Sequence, residues 1–353
     1  MSGSVKGDMY TTDLKTMISN TDAQPRSHIH PVTTTITLAN RWDHLKARWG
    51  INRMGHRVEP GLYTIGNPSA DSPVFVTANY TLSFDEIRSV LPGIDSYILV
   101  LDTKGVNVWC AAGKGTFGTD ELVRRIEATK ISDVVNHRVL IVPQLGATGV
   151  CAHEVKKRSG FAVEYGPIRA QDVPEYLKTR QATPQMRRVC FPLKDRTVLI
   201  PMELVGALIP MVIAAIVLFF IGGVPASCGG IAAFLAGAIL FPILLPWIPT
   251  PNFSTKGLLL GGIVILPFAI ATFLSDPNTV LMRRTGESLA YLLVFPTVTA
   301  YIALNFTGAT PITSKSGVKH EMYTYIPVMA WMLGIGIFIT IALILVRALG
   351  GAS

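Results

Sequence analysis

Two hydrophobic rhythms divide the chain. From about residue 60, short apolar runs rich in β-branched residues recur at Leu62–Ile65, Val74–Tyr80, Tyr97–Asp102, Val139–Pro143 and Phe161–Tyr165, with helical patterns between or after them. One helix is expected from Ser83, where Ser-Phe-Asp-Glu reads as a capping box. Another is expected from Thr119, with Asp120 and Glu121 in its first turn and Leu122, Val123 and Ile126 forming its buried stripe. Repeated βα units predict a largely parallel sheet with helices on both faces, and ligands at the carboxyl ends of its strands. Beyond residue 201 the runs lengthen: Pro201–Val224, Ser227–Ile248, Gly257–Ser275, Ser288–Phe306 and Tyr325–Val346 carry Glu203 as their only charge. Each has about the 20 residues needed to cross a bilayer core, which predicts an all-α transmembrane bundle of about five helices.

The expected order is therefore an N-terminal arm, partly irregular, over 1–58; an α/β domain over 59–180; a basic linker over 181–200; and a transmembrane domain over 201–353. Charge follows the same division, since residues 1–201 hold 25 of the 31 Lys and Arg and 19 of the 23 Asp and Glu. The net charge of +8 does not point to nucleic acid. Lys178, Arg180, Arg187, Arg188, Lys194 and Arg196 cluster just before the first apolar run, where basic residues mark a cytoplasmic flank facing anionic headgroups. The N-terminus lacks the apolar stretch of a signal peptide, which predicts a multi-pass protein of the cytoplasmic membrane with its α/β domain in the cytoplasm. On that topology Lys256, Lys315 and Lys319 fall inside, whereas Arg283 and Arg284 fall outside against the rule. No span carries a charge near its middle, so anchoring is the role expected of this half.

Candidate chemistry concentrates in Asp102–Gly118, DTKGVNVWCAAGKGTFG, between a strand and the Thr119 helix. Its glycines and paired alanines let something large and flat approach the backbone, and Cys110 near a helix start with Lys114 close by is placed for thiolate chemistry. A phosphate-binding loop is excluded, because Val108 stands where its first glycine belongs and Gly115 follows Lys114. Gly113, Gly115 and Gly118 spell a dinucleotide fingerprint, but about ten residues too far from the strand. A cysteine nucleophile paired with His137 or His153 stays open. Four cysteines (Cys110, Cys151, Cys190, Cys228) without any CxxC give no local metal set and no disulfide framework. His28 and His30 lack a nearby third partner and are read as solvent-exposed; Cys151 is expected to pack within a helix.

The segment Asn107-Val-Trp-Cys-Ala-Ala-Gly-Lys114 resembles the signature of the mercury-methylation corrinoid proteins, the HgcA family, at all eight positions. The layout of an α/β domain followed by membrane helices resembles that family too, with a broader kinship to the corrinoid subunits of acetyl-CoA-pathway methyl transfer. The resemblance implies a Rossmann-like corrinoid-binding domain, a cobalamin-type cofactor and a methyltransferase that passes a methyl group from cobalt to Hg(II). It implies that Cys110 is the lower axial ligand to cobalt. Asn107, Val108 and Trp109 would shape the capping helix, and Ala111, Ala112, Gly113 and Lys114 would pass close to the ring. A soft thiolate suits departure of the methyl group with both bonding electrons. The D-x-H-x-x-G motif of histidine-ligated domains is absent, as are the iron–sulfur cysteines of the large acetyl-CoA-pathway corrinoid subunit. The resemblance thus also implies a ferredoxin-like partner with two 4Fe–4S clusters and a methyl-tetrahydrofolate-linked methyl donor. A second glycine-rich strand end, Gln144–Gly149, should lie beside the cap, with Gly146, Thr148 and Gly149 as further cofactor contacts. Two other functions stand beside this reading: an acetyl-CoA-type methyl carrier with a different acceptor, and a membrane sensor or transporter with a regulatory α/β domain.

Overall fold

The computed structural model describes residues 29–275, 279–310 and 313–350. The chain divides into an α/β unit that ends at Arg188 and a helical unit made of His44–Arg53 and the residues from Val189 onward. All five expected strands form, as β2 (Gly61–Ile65), β3 (Val74–Ala78), β4 (Ser96–Leu101), β5 (Val139–Val142) and β6 (Ala162–Tyr165). A strand that the sequence reading assigned to the loose arm, β1 (Ile29–Pro31), joins them. The six-stranded sheet runs β1-β2-β4-β3-β5-β6.

The sheet is mixed, not uniformly parallel. β2 pairs antiparallel with β4 and carries β1 parallel on its outer side, whereas β3–β4, β3–β5 and β5–β6 are parallel. The eight residues between β2 and β3 hold no helix, so no crossover exists there to bring β2 round in the parallel sense. Alternation along the strands feeds two cores. Val74, Val76, Leu99, Leu101, Leu140 and Val142 face one layer, and Phe75, Ile98, Val100 and Ile141 the other. The first layer is covered by α3 (Val108–Lys114), α4 (Thr119–Thr129) and α5 (Ala152–Ser159). The second is covered by α2 (Thr81–Ser89) and α6 (Val173–Thr179). Fully buried rings such as Phe75, Phe117 and Phe161 stabilise these cores by about 1.5–3 kcal/mol each.

Two local expectations change. The helix read as starting at a Ser83 capping box starts at Thr81 and makes no side-chain cap. The Thr81 amide bonds to the His56 carbonyl and Arg57 bridges Tyr80, so the neighbouring segment sets the start two residues earlier. Residues before β2 are also more ordered than an arm, with α1 at Leu38–Arg48. Arg88 ties the entry segment to α2: its buried guanidinium pairs with Asp85 at 2.6 Å and donates to the Thr33 and Thr35 carbonyls at 2.6 and 2.8 Å. His28 lies outside the described residues, and His30 stacks 5.2 Å from Tyr63.

In the helical unit, four helices among the described residues, against the five expected, are long and apolar enough to cross a membrane. The first of these, Leu193–Leu244, has 52 residues and would be about 78 Å long if straight, more than twice a bilayer core. It is not straight. Its main helix α8 (Ile200–Leu235, after the short α7, Leu193–Thr197) breaks at Gly222 and Gly223, the latter at φ +66°. Leu218 Cδ1 sits 2.5 Å from where a Cβ on Gly230 would be, although these positions would stand about 18 Å apart in a straight helix. The chain therefore folds back at the glycine pair, near the end of the first expected span. α9 (Phe241–Leu244), α10 (Phe253–Leu274), α11 (Leu281–Phe306) and α12 (Lys315–Gly350) complete the unit. Part of the basic cluster serves this architecture: Arg196 is buried and donates to the Pro242 and Ile243 carbonyls at 2.9 and 2.6 Å. Arg283 pairs with Glu287 at 2.8 Å, and Arg284 donates to the Phe273 carbonyl at 2.5 Å, so both cations that break the charge rule are engaged locally.

Replacing Arg88 with Leu removes the guanidinium from a buried carboxylate and from two carbonyls. The variant is expected to lose about 3–5 kcal/mol of stability, with faster amide exchange in Ile29–Val32 of the full chain; unchanged exchange there would show that the entry segment is held by something else.

Candidate functional site

The site grows from the adjacent carboxyl ends of β3 and β4. β3 leaves the sheet through α2 on one face, and β4 leaves through α3 and α4 on the other. Neighbouring strands whose connections diverge in this way form the crevice where α/β sheets take ligands.

One residue builds the exit from β4. Asn79, buried just past β3, accepts at Oδ1 from the Thr103 and Gly105 amides, both at 3.0 Å. The Thr103 hydroxyl lies 2.9 Å from the same oxygen and 2.6 Å from the Val106 carbonyl, and serves one of them at a time. Asn79 Nδ2 reaches Asp102 Oδ1 at 3.4 Å. The turn so held passes through left-handed backbone at Lys104 and Gly105 (φ +60° and +74°). At Gly105 a Cβ would also come within 2.8 Å of Arg57 Nε. Sequence reading missed Asn79; a polar residue directly after a fully buried strand was the available signal.

A second support comes from α4. Glu121 was expected to serve the helix dipole, but it is buried, accepts the Asp102 amide at 2.8 Å and pairs with Arg124 and Arg125. Burial works against the charge on Glu121, but the Asp102 amide and the two guanidiniums outweigh it and hold the carboxyl below its ordinary range. Burial likewise opposes ionisation of Asp102; the Lys104 ammonium and amide, with Arg125, again prevail and lower it.

The turn delivers the chain into α3. Asn107 is the N-cap, its Oδ1 accepting from the Cys110 amide at 2.9 Å. Gly115, at φ +82°, closes the helix. Ala111 and Ala112 are buried against the core, whereas Asn107, Gly113 and Lys114 are exposed and Val108, Trp109 and Cys110 are half-buried. Positions 107, 110 and 113 or 114 share the outer face at helical spacing. Among the described residues, a Cβ added at Gly113 on that face would meet nothing within 4 Å. The outer face of α3 is thus open at Gly113, and half-open cavities of about 640 and 580 Å³ lie among the apolar helices.

The Gln144–Gly149 strand end does lie beside α3, but its glycines face inward. A Cβ at Gly149 would fall 2.1 Å from the Phe117 carbonyl and 3.0 Å from Ala112 Cα, and one at Gly146 would fall 2.5 Å from the Phe117 ring. Packing against α3 accounts for Gly149 and packing against the Phe117 ring for Gly146, whereas Thr148 is exposed. Tyr165 fixes the loop by donating to the Val150 carbonyl at 2.5 Å. The dinucleotide reading fails in space: Gly115 ends α3 and Gly118 caps α4, with no strand before them. His137 is no partner for Cys110. It lies at the amino end of β5, bonded to the Ser72 carbonyl at 2.8 Å and to the Val139 amide at 3.3 Å. His153 lies exposed in the first turn of α5. Cys151 is exposed at the N-cap of α5 instead of packed within it, its amide bonded to Thr119 Oγ1 at 2.9 Å.

Comparison with known proteins falls on this same unit. Residues 49–177, which contain the whole turn and α3, match the family model of the CO dehydrogenase/acetyl-CoA synthase delta subunit. The acetyl-CoA decarbonylase/synthase complex subunit gamma of Methanopyrus kandleri is 38% identical over 128 residues, 36% of this chain and 27% of that protein. Its counterpart in Archaeoglobus fulgidus is 36% identical over 124 residues, covering 35% and 26%. The corrinoid/iron–sulfur protein large subunit of Moorella thermoacetica is 28% identical over 129 residues, covering 36% and 28%. The chain spans about a quarter of the length of these curated relatives, and the apolar helices lie outside the matched region. The α/β unit is thus similar to proteins of acetyl-CoA-pathway corrinoid chemistry, the broader kinship that the sequence implied. Mercury appears in none of these names.

Two glycines of the site separate packing from ligand space. Gly149→Ala is expected to cost about 1–3 kcal/mol through overpacking and to change the rate of Cys110 alkylation. Gly113→Ala should leave both unharmed, gaining up to about 1 kcal/mol of helix stability. Equal behaviour of the two variants in thermal unfolding and maleimide labelling would contradict the assignment.

Proposed function

We propose that this chain is a membrane-anchored corrinoid protein of the acetyl-CoA-pathway kind, a methyl carrier whose α/β unit holds the cofactor against the outer face of α3. The observation that carries the reading is the juxtaposition of Cys110 with the bare shelf at Gly113, on a helix whose inner face is locked by Ala111, Ala112 and Gly149. The donor set fits the group: sulfur is a soft ligand suited to cobalt, and a side chain at Gly113 would take up the space a macrocycle needs. When bound, the corrinoid supplies a cobalt centre that carries the methyl group.

The chain's own residues position and select. Asn107 holds the Cys110 amide and so fixes the helical turn from which the sulfur projects. Asn79 and Glu121 fix the turn that leads there. Val108, Trp109 and Lys114 flank the sulfur on the same short helix, and Thr148 offers a hydroxyl from the neighbouring loop for a polar edge of the cofactor. Gly149 acts by letting α3 sit close, and Gly146 by making room for the Phe117 ring. In this reading the methyl group comes from a methyl-tetrahydrofolate-linked donor, and the electrons that reactivate the cofactor come from a ferredoxin-like protein with two 4Fe–4S clusters.

A second reading makes Hg(II) the methyl acceptor. It is favoured by the cysteine itself: a thiolate donor stabilises the oxidised metal left behind when a methyl group departs with both bonding electrons, and the eight residues Asn107–Lys114 resemble those of mercury-methylating proteins.

Anaerobic full-length protein loaded with methylcobalamin separates the readings. Retention of corrinoid with methyl exchange to a folate-linked donor enzyme, and no methylmercury on adding Hg(II), supports the carrier. Methylmercury in one turnover, lost by more than about 10-fold in Cys110→Ala, selects the mercury reading. Failure to retain any corrinoid overturns both.

A further inference from the structure

Helix α1 carries an apolar stripe that the core does not use. Leu38, Trp42, Leu45 and Trp49 recur at spacings of four, three and four, so they fall within about 60° of arc on a helix of about 3.6 residues per turn. Their exposures are 83, 62, 44 and 40%, whereas Ala47, on the opposite side, is 5% exposed. Trp49 lies one residue beyond the helix but keeps its bond to the Leu45 carbonyl at 3.1 Å. Arg41 and Arg48 lie along one margin of the stripe and Lys46 along the other. Asp43, the only acid on the helix, is turned away and pairs with His56 at 2.9 Å. Exposed tryptophans edged by cations, with the acid withdrawn, form a face for a surface that is apolar beneath and anionic above.

The position of the helix end specifies that surface. His44–Arg53 belongs to the same compact unit as the apolar helices. Gly50, at φ +69°, packs on Met202: an added Cβ would lie 3.3 Å from its sulfur. Met202 is in the first turn of α8, where the apolar run begins. The last part of the stripe, Leu45 and Trp49, therefore belongs to the unit in which the chain enters its long apolar segment.

We propose that α1 is an interfacial helix, lying in the headgroup layer with Leu38, Trp42, Leu45 and Trp49 among the acyl chains and Arg41 and Arg48 on anionic phosphates. The proposal rests on the reading that the long apolar helices cross a membrane, and the test checks that reading separately. Full-length protein with its four cysteines replaced by serine is reconstituted in phosphatidylcholine vesicles, with and without phosphatidylglycerol. Spin labels are placed singly by Leu45→Cys, Leu38→Cys and Arg41→Cys, and by Ile263→Cys on α10 as the membrane control. Collision with oxygen should exceed collision with an aqueous nickel chelate several-fold at positions 38, 45 and 263, and the ratio should reverse at 41. Phosphatidylglycerol should raise the ratio at 45, and Arg41→Glu with Arg48→Glu should abolish that increment. Nickel-dominated collision at 38 and 45 with a lipid-exposed 263 overturns the proposal while leaving the membrane reading intact. Labels at 38 and 45 inaccessible to both reagents would mean that protein covers the stripe, which also overturns it. Nickel-dominated collision at 263 overturns both.

Discussion

The buried carboxamide of Asn79 is the interaction on which the site depends. Its oxygen takes amide protons from Thr103 and Gly105, and without it those donors would be stranded beside a fully buried strand end. A buried donor left unpaired costs about 1–3 kcal/mol, more than the net worth of the bond itself. The chain therefore leaves β4 by one route, through left-handed Lys104 and Gly105, and arrives at Asn107 in register to cap α3. Glu121 reinforces the same exit by holding the Asp102 amide from the other side. The orientation of Cys110 is set by polar groups that never need to touch a ligand.

Around that exit, small residues do two different jobs. On the inner face of α3, Ala111, Ala112 and Gly149 allow close approach, and Phe117 fills the space against Gly146. On the outer face, Gly113 leaves room. If a broad, flat cofactor binds as proposed, a helix pressed inward by packing and open at Gly113 leaves little ordering to be done when it arrives.

Much of this was legible in the sequence, for identifiable reasons. The strands β2 to β6 announce themselves because a sheet buried on both faces needs continuous β-branched runs, and the Cys110 segment stands out by its density of glycine and alanine. The antiparallel place of β2 was not read, because alternating strands and helices suggest parallel pairing and the signal against it was only a missing helix before β3. β1 and α1 were passed over as a loose arm: their order comes from partners far along the chain, such as Leu62 for Ile29 and Asp85 with Arg88 for the segment at Thr33. Asn79 was invisible for a similar reason, since its three donors lie more than 20 residues away. Gly146 and Gly149 were read as ligand contacts because glycine allows close approach; in the fold Gly149 is approached by α3 and Gly146 by the Phe117 ring. The break at Gly222 and Gly223 was marked by the glycine pair itself.

The central claim is that α3 presents the Cys110 sulfur to the cobalt of a corrinoid. Electron paramagnetic resonance of the full-length protein loaded with Co(II) cobalamin tests it most directly. The account predicts a spectrum without nitrogen superhyperfine splitting that changes when Cys110 is replaced by alanine. Nitrogen splitting in the wild-type protein, unaltered by that replacement, would contradict it.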